Sequence, residues 1–202
     1  MSMWLSRLFR RPPEASPEAL QAFLARQSAF VAQKTVLDYC RVKAGRNERQ
    51  TFADPDFQAA LAHCRWQTFA GAALDVTALA EAWLRPHAAG QASALADALT
   101  TLGGQVLDAA PAPAAERPAL DAAREGLGRH LALLQDAPPL PADQMTMLAE
   151  APLLATLPVH PDQRRGETPA IRGALRFHLV TTQQEMERGF DAPALVRRLI
   201  AE

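Results

Sequence analysis

The chain has 202 residues, about half of them apolar, and its 21 basic and 22 acidic side chains leave a net charge of −1. That is enough apolar material for one ordinary core, and it argues against a disordered chain or one drawn to nucleic acid or anionic lipid by a global field. Alanine makes up about a fifth of the sequence while β-branched and aromatic residues are sparse, which favours helix over sheet.

Residues 1–15 read as a basic amphipathic arm. On a helix, Trp4, Leu5, Leu8 and Phe9 would oppose Arg7, Arg10 and Arg11, a face suited to a weak membrane-surface contact or to a partner protein. The plainer reading is a terminus that tucks its aromatic residues onto the domain. Pro12-Pro13-Glu14 follows the arginines where a signal peptide would need an apolar run, so none is expected.

Residues 16–136 read as the helical core. Ser16-Pro17 pairs an N-cap with a proline at the first helical position, where the missing N–H costs nothing, and opens a helix to about Ala44 that stops at Gly45. Residues 45–53 read as a loop, short enough to make the next helix antiparallel and so to close a helical hairpin. Asp54-Pro55 repeats the cap signature and opens the longest element, expected to run to about Pro86, roughly 45 Å at 1.5 Å per residue. Phe57, Leu61, Cys64, Thr68, Ala72, Val76, Leu79 and Trp83 form one apolar stripe on it. Ala62, Trp66, Phe69, Ala73, Ala80 and Leu84 form a second, so the helix belongs inside a protein or a membrane. Asp75 and Glu81 interrupt the windows needed for a membrane span, and the enclosed core helix is the reading that remains.

Two further helices follow, about residues 92–109, with Gly103-Gly104 as a weak point, and 118–135, joined by a proline-stiffened linker. Residues 137–168 form a Pro-rich segment in which two short helical turns are expected, broken at Pro152, before an exposed loop at 159–167. Residues 169–202 carry the C-terminal helices. Alternation at Ile171, Gly173, Leu175, Phe177 and Leu179 also permits a strand over 168–181, but a lone strand is unstable and we read helix. Phe190, Asp191 and Leu195 carry a hydrophobic staple that opens the last helix. The expected fold is an all-α, single-domain bundle of about six to seven helices organised on the long N-terminal helical hairpin.

Counting outward from the hairpin loop at equal rise sets Asp38 level with residues 61–65 and Arg26 level with Asp75. Two inter-helix ion pairs are therefore expected, Asp38 with Arg65 and Arg26 with Asp75. Around the first gather Lys34, Tyr39, Cys40, Arg41, His63, Cys64 and Trp66. Lys34, Asp38, Tyr39, Arg41, His63, Arg65 and Trp66 are thus the candidate ligand or partner contacts. The plainer reading is a set of charges that satisfy one another and hold the hairpin in register.

Other chemistries lack their signatures. His63-Cys64 with Cys40 has no further ligand at a three- or four-residue step, and His87, His130, His160 and His178 are scattered, so no metal or cofactor is expected. Cys40 and Cys64 are too few for a disulfide framework and suit a reducing, cytoplasmic compartment. The serines Ser2, Ser6, Ser16, Ser28 and Ser93 lie in no G-x-S-x-G setting, and no glycine-rich phosphate loop occurs. Arg41, Lys43, Arg46 and Arg49 beside Arg164-Arg165 make a modest phosphate footprint without a recognition helix, so nucleic acid is not the expected partner. Lys34 and Lys43 are the only lysines. We read the preference for arginine as the coding bias of a GC-rich, bacterial genome.

The leading expectation is a non-enzymatic binding protein, an adaptor, assembly factor or small regulator, whose partner is another protein. The alternative is a helical bundle, or an enzyme, that holds a small amphipathic or anionic ligand between the first two helices. There Lys34, Arg41 and Arg65 would supply charge, and Tyr39, Trp66 and Phe69 the apolar contacts. A closed interior with Asp38 and Arg65 paired would favour the first reading. An open cavity of ligand size lined by Lys34, Tyr39 and Trp66 would favour the second.

Overall fold

In the computed structural model, which describes residues 13–201, Ser16 opens the first helix by accepting the N–H of Ala19 on its Oγ at 3.1 Å. With Pro17 at its first position, α1 (Pro17–Ala44) runs until Gly45, whose φ of +51° a side chain would resist. The arm with Trp4, Leu5, Arg7, Leu8 and Phe9 lies outside the described residues.

The connection after α1 is more ordered than a loop. A 3₁₀ turn at Gly45–Asn47 leads into a short helix, α2 (Glu48–Ala53). Its end is set by Asp54, which is extended because it precedes a proline. Asp54 Oδ1 then accepts the N–H of Phe57 at 2.9 Å and starts α3 (Pro55–Leu84), antiparallel to α1.

Every residue of α3 from Ala72 to Glu81 is buried, so this half is enclosed on all sides. The first half is not: Ala59, Ala60, Ala62 and His63 are exposed, and the second apolar stripe therefore holds only from Trp66 onward. The cause is length. α4 (Ala92–Ala109) and α5 (Arg117–Leu134) fold back on α3 as a hairpin, but α4, with 18 residues against 30, cannot cover it. The buried Gly103, expected to be a weak point, is instead a point of close packing against α3 and α5. A Cβ there would lie 2.7 Å from Leu127 Cδ2 and 2.9 Å from Thr77 Oγ1.

Residues 137–149 cross the bundle without a helix and lead into α6 (Glu150–Thr156). Pro152 does not break this helix; it occupies the first turn, where its missing N–H is not needed. The loop after α6 carries one 3₁₀ turn, Pro161–Arg164. Thr168 to Gly189 forms α7, helical as expected, and α8 (Ala192–Ala201) follows. At their junction Asp191 Oδ1 accepts the N–H of Ala194 at 2.9 Å, and Phe190 is buried edge-on against Phe23 with centroids 5.4 Å apart. Glu14 exchanges main-chain hydrogen bonds with Gly189 and Asp191, tying the start of α1 to this corner.

The result is a single-domain, all-α bundle around α3, with α1, α4, α5, α6, α7 and α8 all packed on it. Among the described residues no helix is long and apolar enough to cross a membrane.

Candidate functional site

The seven candidate residues do not form one cluster. The expected Asp38–Arg65 pair is absent: Asp38 instead meets Lys34 Nζ at 2.6 Å and Arg41 at 3.9 Å, all three on α1. Arg41 also reaches Glu48 at 3.4 Å and stays on the surface. The second expected pair is absent too. Arg26 lies over its neighbour Phe23, 5.3 Å from the ring centroid, and Asp75 turns away toward residues 148 and 149. Equal-rise counting fixes the level of two residues along a hairpin but not their direction around each helix, and direction decided both pairs.

What the structure brings together instead is a groove of about 790 Å³ between α1, α3 and the end of α4. α1 supplies Ala22, Ala25, Ala29 and Ala32, at steps of three and four and therefore on one face. Because each offers only a methyl group, the floor is recessed. α3 supplies the opposite wall through Ala62, Arg65, Trp66 and Phe69. The two rings pack edge-to-face, with centroids 5.7 Å apart at 84°. Val106, Ala109, Ala110 and Pro111 close the third side, while Glu18 and Gln21 stand at one end of the α1 stripe and Gln33 at the other.

Arg65 is the unusual member of this lining. Its Nε is buried without an acceptor, and its guanidinium has no hydrogen-bond or ion-pair partner among the described residues. A half-buried cation on an apolar wall is costly unless something completes it, since hydrogen bonds to charged groups are worth about 1.5–3 kcal/mol.

The third side of the groove is held by a polar network that sequence reasoning did not anticipate. Glu116 accepts from Gln67 Nε2 at 3.0 Å and meets His63 Nδ1 at 2.9 Å, so His63 serves the α3–α5 contact and not the hairpin seam. The next residue, Arg117, donates to the carbonyls of Leu107 and Ala110 at 3.1 and 2.7 Å, satisfying the last turn of α4.

Lys34, Asp38 and Tyr39 line a second groove, of about 830 Å³, on another face between α1 and α7. Its charges are already paired. Tyr39 donates its hydroxyl to Glu167 at 2.6 Å and Lys43 donates to the same carboxylate at 2.8 Å. Burial, aided by Glu167, raises the Tyr39 phenol well above its ordinary range, while the bonds from Lys43 and Tyr39 lower the Glu167 carboxyl. His178 lies edge-on to Phe30 and Phe177, and burial lowers its pKa. Phe177 and Val42 border this groove and are largely exposed.

Cys40 and Cys64 are buried in the core; burial pushes the Cys40 thiol up to about 12 and raises that of Cys64. Neither is a thiolate at neutral pH, so both act as small core residues. No three His, Cys, Asp or Glu side chains converge as a metal site among the described residues.

No protein-family model matches the chain, and neither a curated protein nor a solved structure matches it.

Proposed function

We propose that this protein is a binding protein for a small amphipathic molecule with an anionic group, seated in the groove between α1, α3 and α4. One observation carries the reading: Arg65, a cation with no partner among the described residues, stands in the wall of an open, mostly apolar groove of about 790 Å³. Cavities of this size with a few convergent polar groups are the usual form of small-molecule sites. The proposed contacts are Arg65 for charge and Trp66 and Phe69 for the apolar part, with the alanines of α1 beneath. Lys34, Tyr39 and Arg41, grouped with them by sequence, play no part in this groove.

Thermal melting against a panel of amphiphiles tests it. Anionic amphiphiles in excess of their Kd are expected to raise the Tm, by the mass action of a ligand that binds only the folded state. Neutral amphiphiles and small inorganic anions are expected to do so far less. A panel in which no amphiphile shifts the Tm overturns the reading.

The adaptor reading rests on a different observation, the exposure of Phe177 and Val42 beside the second groove. It requires a stoichiometric partner whose binding is lost in Phe177→Asp while melting is unchanged. Partner binding indifferent to that substitution would remove this face from consideration.

A further inference from the structure

Resting on the groove reading above, we infer that the ligand is a single-chain fatty acid, held with its carboxylate on Arg65 and its tail along the alanine floor toward Glu18. The direction follows from where the polar groups stand. In the antiparallel hairpin Arg65 is level with the Gln33 end of the α1 stripe, since both line the same groove and lie about equally far from the turn. The negative charge of Glu18 marks the opposite end. A carboxylate is therefore attracted at one end and repelled at the other.

The distance between those ends sets the length of the tail. Glu18 to Gln33 spans fifteen residue steps of α1, about 22 Å at the helical rise. That is the reach of an extended long-chain acyl tail. The chemistry of the lining suits one chain: methyl groups beneath, two aromatic rings on one wall, and no charge between the ends apart from Arg65. A carboxylate matches the fork of an arginine in a bidentate manner, here through the two terminal nitrogens of Arg65, since its Nε is out of reach of solvent.

The test is a titration of the full chain with saturated fatty acids from octanoate to tetracosanoate, alongside the methyl ester, the alcohol and the alkyl phosphate of one long chain, read by calorimetry. Affinity is expected to rise roughly fourfold per added methylene and to stop rising once the tail reaches Glu18. Arg65→Met is expected to weaken the acid by roughly 10- to 100-fold, the loss of a charged hydrogen bond, and to leave ester and alcohol nearly unchanged. Because Arg65 has no partner among the described residues to abandon, Arg65→Met should keep the circular dichroism of the parent and melt at the same temperature or above, a half-buried cation having been removed. Ala25→Leu, which fills the floor, is expected to weaken every long chain while sparing the shortest.

Equal affinity for acid and ester, or no response to Arg65→Met, overturns the carboxylate assignment while leaving a ligand groove. Tighter binding of the alkyl phosphate than of the acid overturns it in favour of a phosphate headgroup. A length series with no ceiling overturns the placement of the tail's end at Glu18. If no chain of any headgroup binds, the groove reading itself fails, and that result differs from the others.

Discussion

Asp75 Oδ2, out of reach of solvent, accepts the main-chain N–H of Ala149 at 3.0 Å. Its other oxygen takes the N–H of Leu148 at 2.7 Å. One carboxylate on the central helix thereby satisfies two amides just before α6 and holds the segment from 142 to 149 against the bundle. Removing it leaves one buried donor and one part-buried donor without an acceptor, at about 1–3 kcal/mol for each that water cannot reach. Asp75→Ala should lose about 2–5 kcal/mol in urea unfolding at pH 5, and hydrogen exchange should quicken first at 148 and 149. Unchanged protection there would show that the clamp carries no energy.

The same group sets a pH dependence. Burial raises the Asp75 carboxyl from 3.8 to about 7, against the opposing effect of the two amides and of Arg176. The folded state therefore keeps a proton that the unfolded chain releases near pH 4. This contribution is fully present below about pH 4 and is lost as pH rises to about 7, after which it is level. The slope approaches about 1.4 kcal/mol per pH unit, the value for one proton. Urea midpoints measured between pH 4.5 and 7.5 should fall for the parent relative to Asp75→Asn. Parallel profiles would mean that Asp75 is ionised throughout.

One turn before Asp75, Gly71 permits the contact. A Cβ there would lie 2.6 Å from Ala149 Cα and 2.8 Å from its nitrogen, both main-chain atoms with little room to yield. Gly71→Ala should cost about 1–3 kcal/mol, the usual range for overpacking. Gly126, in the middle of α5 with nothing within 4 Å of its Cβ direction, is the control. Gly126→Ala should stabilise by about 0.5–1 kcal/mol, since alanine is the better helix former. Thermal melts of the two variants should shift in opposite directions.

Glu81 is fully buried and meets Arg85 Nε at 2.9 Å, with Gln135 Nε2 donating to it at 3.2 Å. Arg85 also donates to the carbonyl of Ala137 at 2.6 Å, so the end of α3 is fastened to the end of α5. Breaking such a pair from one side strands the other charge. Glu81→Ala should cost about 3–5 kcal/mol, and replacing Glu81 and Arg85 together by leucine should recover most of it. A double variant as unstable as the single would place the energy in the Gln135 and Ala137 contacts instead.

Helix boundaries were legible in the sequence wherever local chemistry sets them. Ser16-Pro17, Asp54-Pro55 and Asp191-Ala192 each pair a capping oxygen with a residue suited to the first turn, and Gly45 tolerates the backbone at the end of α1. Those features act over four residues, so one sequence suffices to see them. The core stripe of α1 and α3 was legible for the same reason, because helical spacing alone puts Leu61, Cys64, Thr68, Ala72 and Val76 on one side. The groove was only half legible. Trp66 and Phe69 stood out, but Ala22, Ala25 and Ala29 look like ordinary helix formers until an uncovered face makes their small size matter. Their regular spacing was the available signal.

Partners across the fold were not legible. Asp75 was paired with Arg26 and Asp38 with Arg65 by level alone, yet Asp75 found backbone amides some seventy positions away in the chain and Asp38 found its own helix. His63 likewise turned to Glu116. Composition, caps and periodicity by themselves determined an all-α chain built on a long hairpin, since these depend on bonds within a turn or two. Only the tertiary structure decided which half of α3 is enclosed, which charges are satisfied, and that Arg65 finds no partner among the described residues and stands on an open wall. Those outcomes depend on the rotation of each helix about its axis and on where a shorter neighbour ends, and neither is encoded by local spacing.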